Sequence, residues 1–455
     1  MLVSVFMLAG CAARSWNTRI ANAAPSDRYD FRNRMPVNDA DTFVVLAFSG
    51  GGTRAASFNY GVLEKLRDTT VWIHGKPVRL LDQVNVISAV SGGSYTAAYY
   101  GLFGNRIFRD FAPHFLYHDW QGDLVSLLLR PDHLLSITRS GYNRSDLVAG
   151  YLDNTLFEHK TFADMSRGAL PYIIINASDL NNATTFSFIQ SQFDFLCSDL
   201  SSYRVANAVM ASSAVPLVFS PIALRNFDDC PERHKAWVTD SLAHDGVLDR
   251  RHAVALALER YSHPDQMPIL RLVDGGITDN LGVRGSMMSP VAQDGDVPNM
   301  AGAFTPAQLQ SVQHVLVVVA NAQVYSQYDW SRNGMDPGLI NMTRASFDAA
   351  LGLLNTETVA LAKQGFLMWQ AHVNAMRAPE APRVKVDFAV LTFNQISDHA
   401  ERDRFNAMPT TFRLQAEQVD ALRGLAGQLL DQSPEFQSFR AALASDSDAD
   451  AHSAH

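Results

Sequence analysis

The stretch "NVISAVSGGSYTAAYYG", residues 85–101, runs an apolar strand into a helix of small and aromatic residues, with three serines crowded at the junction. A nucleophile elbow has the form G-x-S-x-G on a tight strand-to-helix turn, where small flanking residues make room for a strained serine. Ser88 has Val86 and Val90 at the two glycine positions, and Ser94 has Gly92 but Thr96. Ser91 has Ala89 and Gly93 and stands where the strand ends, so Ser91 is the candidate nucleophile. No histidine lies within a dozen residues of Ser91, although histidine is the usual proton acceptor for a catalytic serine. The alternative is a plain small-residue junction with no chemistry.

Working outward, "TFVVLAFSG" (42–50), "LPYIIINASDL" (170–180), "MPILRLVDGG" (267–276), "VQHVLVVVANA" (312–322) and "RVKVDFAVLTF" (383–393) read as further apolar strands. Helix-length segments separate them. Continuous apolar strands alternating with helices predict a mostly parallel sheet covered on both faces. A long helical stretch is predicted over 337–376, and an amphipathic helix over 411–430 with Val419, Leu422, Leu425 and Leu429 on one face. Residues 12–40 read as a polar tether, 222–266 as a charged surface insertion, and 441–455 as a disordered acidic tail.

The chain has 455 residues, 47% hydrophobic and 18% charged, enough for one large α/β domain with extensions. A net charge of -9 argues against nucleic acid as a partner, because phosphate backbones need a basic face. No histidine pair has metal-ligand spacing and no calcium loop is present, so no metal or cofactor is expected.

Near the N-terminus, "MLVSVFMLAGCAARS" resembles a bacterial lipobox, with Leu8-Ala9-Gly10 leading into Cys11. That resemblance implies a signal segment over 1–11, a lipid-modified Cys11, and a protein anchored in the bacterial cell envelope, facing the periplasm. A signal peptide normally opens with positive charge, and none precedes Cys11. Nothing else approaches the roughly 18 to 20 apolar residues that span a bilayer. In an oxidising compartment the two remaining cysteines, Cys197 and Cys230, are expected to pair. Such a bridge stabilises by about 3 to 4 kcal/mol on the chain-entropy account. Two buried free thiols are the alternative.

Two further motifs fall at strand ends. In "SGGGTRAA", Gly50, Gly51 and Gly52 lead into a helix starting just past Arg54. Consecutive glycines let backbone N–H groups converge, and the helix N-terminus adds its positive end. Such a loop can cradle a phosphate or an oxyanion, or can be a plain turn. No Gly-Lys-Ser/Thr follows, and G-x-G-x-x-G is not met. In "RLVDGGITDNLGV", Asp274 follows a strand directly and precedes two glycines, whereas Asp279 falls inside a helix start, where an acidic residue serves as a cap.

Gly-Gly-Gly-x-Arg, then the serine elbow, then Asp-Gly-Gly, together with "ASSAVPLVFSPIAL" (211–224), resembles the patatin-like phospholipases over roughly residues 40–290. The resemblance implies a three-layer α/β/α fold and a Ser–Asp dyad without histidine. By motif, Ser91 is the implied nucleophile and Asp274 its base. Gly50, Gly51 and Gly52 are the implied oxyanion hole, and Arg54 its support. Ala89 departs from the pattern, since many relatives have glycine there. The expected organisation is a catalytic domain over 41–290 and C-terminal strands and helices over 291–440 packed on the same core. The expected activity is hydrolysis of phospholipid or lysophospholipid esters. An esterase or thioesterase on other acyl donors, and a non-catalytic membrane-associated scaffold, are the alternatives.

Overall fold

A computed structural model of the chain describes residues 15–20, 28–30, 41–130, 143–165, 171–288, 306–325 and 336–453, with 291, 328, 330 and 334. Cys11 and its signal-like segment lie outside these residues.

Eight strands form the main sheet: β1 (Thr42–Phe48), β2 (Val84–Val90), β3 (Tyr172–Asp179), β4 (Thr184–Ser187), β5 (Ile222–Arg225), β6 (Ile269–Asp274), β7 (His314–Asn321) and β8 (Lys385–Thr392). Their order is β8-β7-β1-β2-β3-β6-β5, with β4 paired to β3. The run from β8 to β3 is parallel, while β6, β5 and β4 are antiparallel additions. Every residue of β1, β2 and β3 is buried, so helices cover both faces, as continuous apolar strands require. The result is a mostly parallel sheet inside an α/β/α sandwich. β7 and β8 extend the sheet directly beside β1, so the C-terminal region completes this core.

The helices that matter for the site are α1 (Gly52–Arg67), α2 (Gly92–Phe103), α3 (Val205–Ser212), α4 (Arg250–Glu259), α5 (Gly276–Asp279), α6 (Leu339–Met376), α7 (Ala416–Gln432) and α8 (Pro434–Ser453). The apolar stripe Val419, Leu422, Leu425 and Leu429 of α7 is buried, and α7 lies along α1, where Gly61 leaves no room for a Cβ against the backbone of Arg423. Each such buried leucine or valine contributes roughly 1.5 to 3 kcal/mol.

Three expectations are corrected. The acidic tail is helical through Ser453, because Phe436, Phe439 and Leu443 bury the first turns of α8. An established helix then propagates cheaply through alanine. The stretch 12–40 is no free tether where it is described. Thr18–Arg19 pairs with Ser198–Asp199. Buried Tyr29 stacks on Tyr172 at 4.5 Å and donates its hydroxyl to the Ile173 carbonyl at 3.0 Å. That hydroxyl also accepts the Ile173 N–H at 2.8 Å, closing an open edge of β3. Within 222–266, read as a surface insertion, β5 instead joins the sheet beside β6.

Candidate active site

β2 ends at Val90, and the chain turns at Ser91 with φ 47° and ψ -122°, a conformation that costs a non-glycine residue about 1 to 3 kcal/mol. What holds it is the close approach of its neighbours. A Cβ on Gly92 would stand 2.1 Å from the Gly52 carbonyl oxygen, and one on Gly93 would stand 2.7 Å from those of Phe48 and Ser49. Ala89 lies within regular strand, opposite Phe48 and Ile175, and is not among the residues with positive φ. A methyl group therefore fits at the first glycine position of the elbow pattern. The Ser91 N–H donates to Ser212 Oγ at 2.8 Å, and Ser212 Oγ donates to the Asn176 carbonyl at 2.6 Å.

The three serines separate by what their hydroxyls do. Ser88 donates to the Gly282 carbonyl and accepts from Asn176 Nδ2. Ser94 donates back to the Ser91 carbonyl. Ser91 Oγ donates to Asp274 Oδ2 at 2.9 Å, across 183 residues of sequence. Sheet register explains the meeting. Val90 faces Asn176 across β2–β3, and Ala177 faces Asp274 across β3–β6. The residue after Val90 is thus level with Asp274, with one strand between them. β6 runs antiparallel to β3, so Asp274 reaches this level from the opposite direction to the expected parallel strand.

Asp274 and Ser91 are 9% and 7% exposed. Burial raises the Asp274 carboxyl to about 6, although the Gly276 N–H, at 2.8 Å from Oδ1, and the Ser91 hydroxyl favour the charged form. Asp279 has a different task. Its carboxylate accepts the backbone amides of Leu281, Arg284 and Gly285, anchoring the turn beyond α5. It sits at the end of a helical turn, not at its N-cap.

The glycine loop lies against this pair, since a Cβ on Gly50 would stand 3.1 Å from that of Ser91. The expectation that all three glycines offer amides is corrected: the Gly50 N–H already donates to the Asn280 carbonyl at 2.9 Å. Among the described residues the amides of Gly51 and Gly52 have no partner, and both residues have positive φ, 135° and 60°. Arg54 is buried and braces the loop, donating from Nε to the Ala322 carbonyl and from Nη1 to that of Met408. The Thr53 N–H donates to the Thr411 carbonyl at 2.9 Å. A Cβ on Gly52 would stand 2.4 Å from that same oxygen. Gly52→Ala is therefore expected to lower stability by about 2 kcal/mol or more, through steric overlap and a disfavoured φ, read as a drop in melting temperature.

Residues 46–286, more than half of the chain, match the family described as Patatin-like phospholipase. The chain belongs to the patatin-like phospholipase family. Among solved structures it is similar to human GIVD cytosolic phospholipase A2, at 15% identity and a TM-score of 0.38, over 89% of this chain and 61% of that one. It is likewise similar to the same human enzyme in complex with methyl gamma-linolenyl fluorophosphonate and terbium chloride, at 16% identity and a TM-score of 0.38, over 93% and 65%. The chain thus spans less than two thirds of the length of these structures. No curated protein matches it by sequence.

For this patatin-like chain, sequence reasoning missed residues that set the geometry around Ser91. Ser212 lies inside the quoted "ASSAVPLVFSPIAL", so the signal for it was visible, but not its task. Asn280 likewise lies inside the quoted "RLVDGGITDNLGV", whereas Ala322, Met408 and Thr411 carried no local signal and lie beyond the family match. The aromatic segment 98–130 goes largely into the core: Phe115 stacks on Tyr95 at 4.6 Å and lies 5.1 Å from Phe111 and 5.6 Å from Trp120. Cys197 and Cys230 are joined, with Cα atoms 5.8 Å apart.

Proposed function

We propose that this chain is a lipid acyl hydrolase working through a Ser91–Asp274 dyad on the ester bonds of phospholipids or lysophospholipids. The observation that carries this reading is the 2.9 Å contact between Ser91 Oγ and the buried Asp274 carboxylate. As Ser91 Oγ attacks the ester carbonyl, its proton passes to Asp274 Oδ2. The tetrahedral intermediate then expels the alcohol, which takes that proton, and an acyl-enzyme remains. Water, giving a proton to Asp274, attacks the acyl carbon; Ser91 leaves with the proton restored, and the fatty acid is released.

A carboxylate is a weak base for an alcohol, so most of the barrier must fall by electrostatic stabilisation. The free amides of Gly51 and Gly52 are suited to receive the oxyanion, and one such donor is typically worth about 10² to 10³ in rate. The α2 N-terminus, beginning at Gly92, favours negative charge on Ser91. Gly50 and Arg54 support the loop through their bonds to the carbonyls of Asn280, Ala322 and Met408.

The proposed location is the bacterial cell envelope, with lipidation at Cys11. The Cys197–Cys230 bridge supports it, because such bridges persist in oxidising compartments. Among the described residues no helix is long and apolar enough to cross a membrane.

The pH dependence tests the dyad. Asp274 must be ionised to accept a proton, and its carboxyl titrates at about 6. The expected kcat/KM rises with pH, reaches half its plateau near pH 6 and stays level above. The measurement is hydrolysis of phospholipid vesicles and of p-nitrophenyl esters in parallel. A rate that falls as pH rises through 6 would remove Asp274 as the base. Hydrolysis of the soluble ester alone would favour the esterase reading.

A further inference from the structure

A cavity of about 170 Å³ opens between the β3–β4 hairpin, α4 and α5, lined by other residues than the Ser91–Asp274 pair. Its walls bring together Arg250, Arg284, Thr185, Thr278 and Gln192, with apolar cover that includes Leu258. No acidic side chain lines it.

The charges in this cavity are unbalanced. Among the described residues Arg250 makes no hydrogen bond or ion pair, and burial, with the Arg284 charge added, pulls its guanidinium below its ordinary range. Arg284 is held in place by a 2.7 Å bond from Nε to Thr358 Oγ1. Asp279 attracts the Arg284 guanidinium but spends its oxygens on backbone amides, and Asp249, beside Arg250, accepts the Gly246 N–H. A partly desolvated guanidinium without an ion pair, as at Arg250, is costly, and an anion between the two arginines removes that cost. A second, independent sign is Gln192, which is 4% exposed, lines the cavity and has no side-chain partner among the described residues. Its amide and the two guanidinium forks supply donors from several directions, as a tetrahedral oxyanion requires.

We propose that this cavity is a phosphate-binding site, separate from the dyad, taking the phosphate of a lipid headgroup or of a small soluble phosphate ester. The volume falls below the roughly 300 Å³ of pockets for drug-sized ligands, which suits a phosphate with a short apolar attachment and not a whole lipid. The site also touches the catalytic turn. Thr185 Oγ1 donates to Thr278 Oγ1 at 3.1 Å, Thr278 Oγ1 bonds Ser178 Oγ at 2.9 Å, and Ser178 Oγ donates to the carbonyl of Gly275, the residue after Asp274. The proposal does not depend on Ser91 chemistry and is tested by binding.

Calorimetric titration of the full chain with inorganic phosphate and with glycerol 3-phosphate, and sedimentation with phosphatidylglycerol vesicles, are compared for wild type, Arg250→Ala and Arg250→Lys. Arg250 holds no other residue, so the folded state of Arg250→Ala is expected to be retained, checked by an unchanged melting temperature without ligand. The expected result is at least a tenfold loss of affinity in Arg250→Ala and partial retention in Arg250→Lys. Arg250-dependent binding of the soluble phosphates assigns a soluble ligand. Arg250-dependent binding of vesicles alone assigns a lipid headgroup. Equal binding by wild type and Arg250→Ala, no binding of any of the three, or equally tight binding of butyrate would overturn the phosphate assignment.

Discussion

Ser91→Ala is expected to reduce hydrolysis of lipid and p-nitrophenyl esters by roughly 10⁴- to 10⁶-fold, the range for removal of a serine nucleophile. It should also abolish covalent labelling by a fluorophosphonate, with the adduct in the unaltered protein mapping to Ser91. The fold should survive, because the Ser91 N–H, which donates to Ser212 Oγ, is untouched by the change. Ser91→Gly separates chemistry from strain. Alanine keeps a Cβ at φ 47°, whereas glycine adopts that conformation freely. Both variants should be inactive, with Ser91→Gly the more stable of the two by about 1 kcal/mol or more. Activity retained in Ser91→Ala would sink the proposed mechanism, and the fluorophosphonate would then report where the nucleophile lies.

The second large effect is expected from Asp274→Asn, with activity and stability moving in opposite directions. An amide cannot take the Ser91 proton, so kcat should fall by roughly 10³- to 10⁴-fold, similar to loss of the aspartate from a serine triad. The same change removes a buried charge. The folded Asp274 carboxyl titrates at about 6, against an ordinary value of 3.8. The native state thus binds the proton more tightly than the unfolded chain does. Protonated Asp274 contributes its stability fully below pH 3.8, and that contribution is lost as pH rises through about 6. The loss amounts to about 3 kcal/mol. Asp274→Asn lacks this slope, so its stability relative to wild type should rise between pH 4 and 6 and stay higher at pH 8, as measured by denaturant unfolding. Asp279→Asn is the contrasting variant. It weakens three backbone contacts and is expected to cost about 1 to 3 kcal/mol of stability. A collapse of kcat in Asp279→Asn with Asp274→Asn unaffected would reverse the assignment.

How far the sequence could be read depended on the range of the interaction involved. The strands were legible because burial on both faces leaves continuous apolar runs. α7 was legible because Val419, Leu422, Leu425 and Leu429 repeat at helical spacing. Ser91 was legible because an elbow needs small residues within two positions of its serine. The tail was misread because its composition resembles a disordered segment, while Phe436 and Phe439 upstream, with Leu443 at its start, supply the packing that starts α8. Tyr29 was missed for a similar reason, since scattered aromatics in a polar stretch give no period.

The sequence by itself determined the strand–helix alternation, the glycine loop, the elbow and the two aspartates that could serve it. The motif resemblance already pointed to Asp274, and only the tertiary structure shows it meeting Ser91. Register across β2, β3 and β6 brings Asp274 level with Ser91, whereas Asp279 turns its oxygens to backbone amides. It also withdrew Gly50 from the oxyanion donors, because Asn280 already accepts its N–H, and tied Arg54 to carbonyls far along the chain. Turn and helix preferences act over a few residues and leave a local mark. Which backbone group meets which side chain across 183 residues or more is fixed by sheet order and packing, and no short stretch of sequence carries that mark.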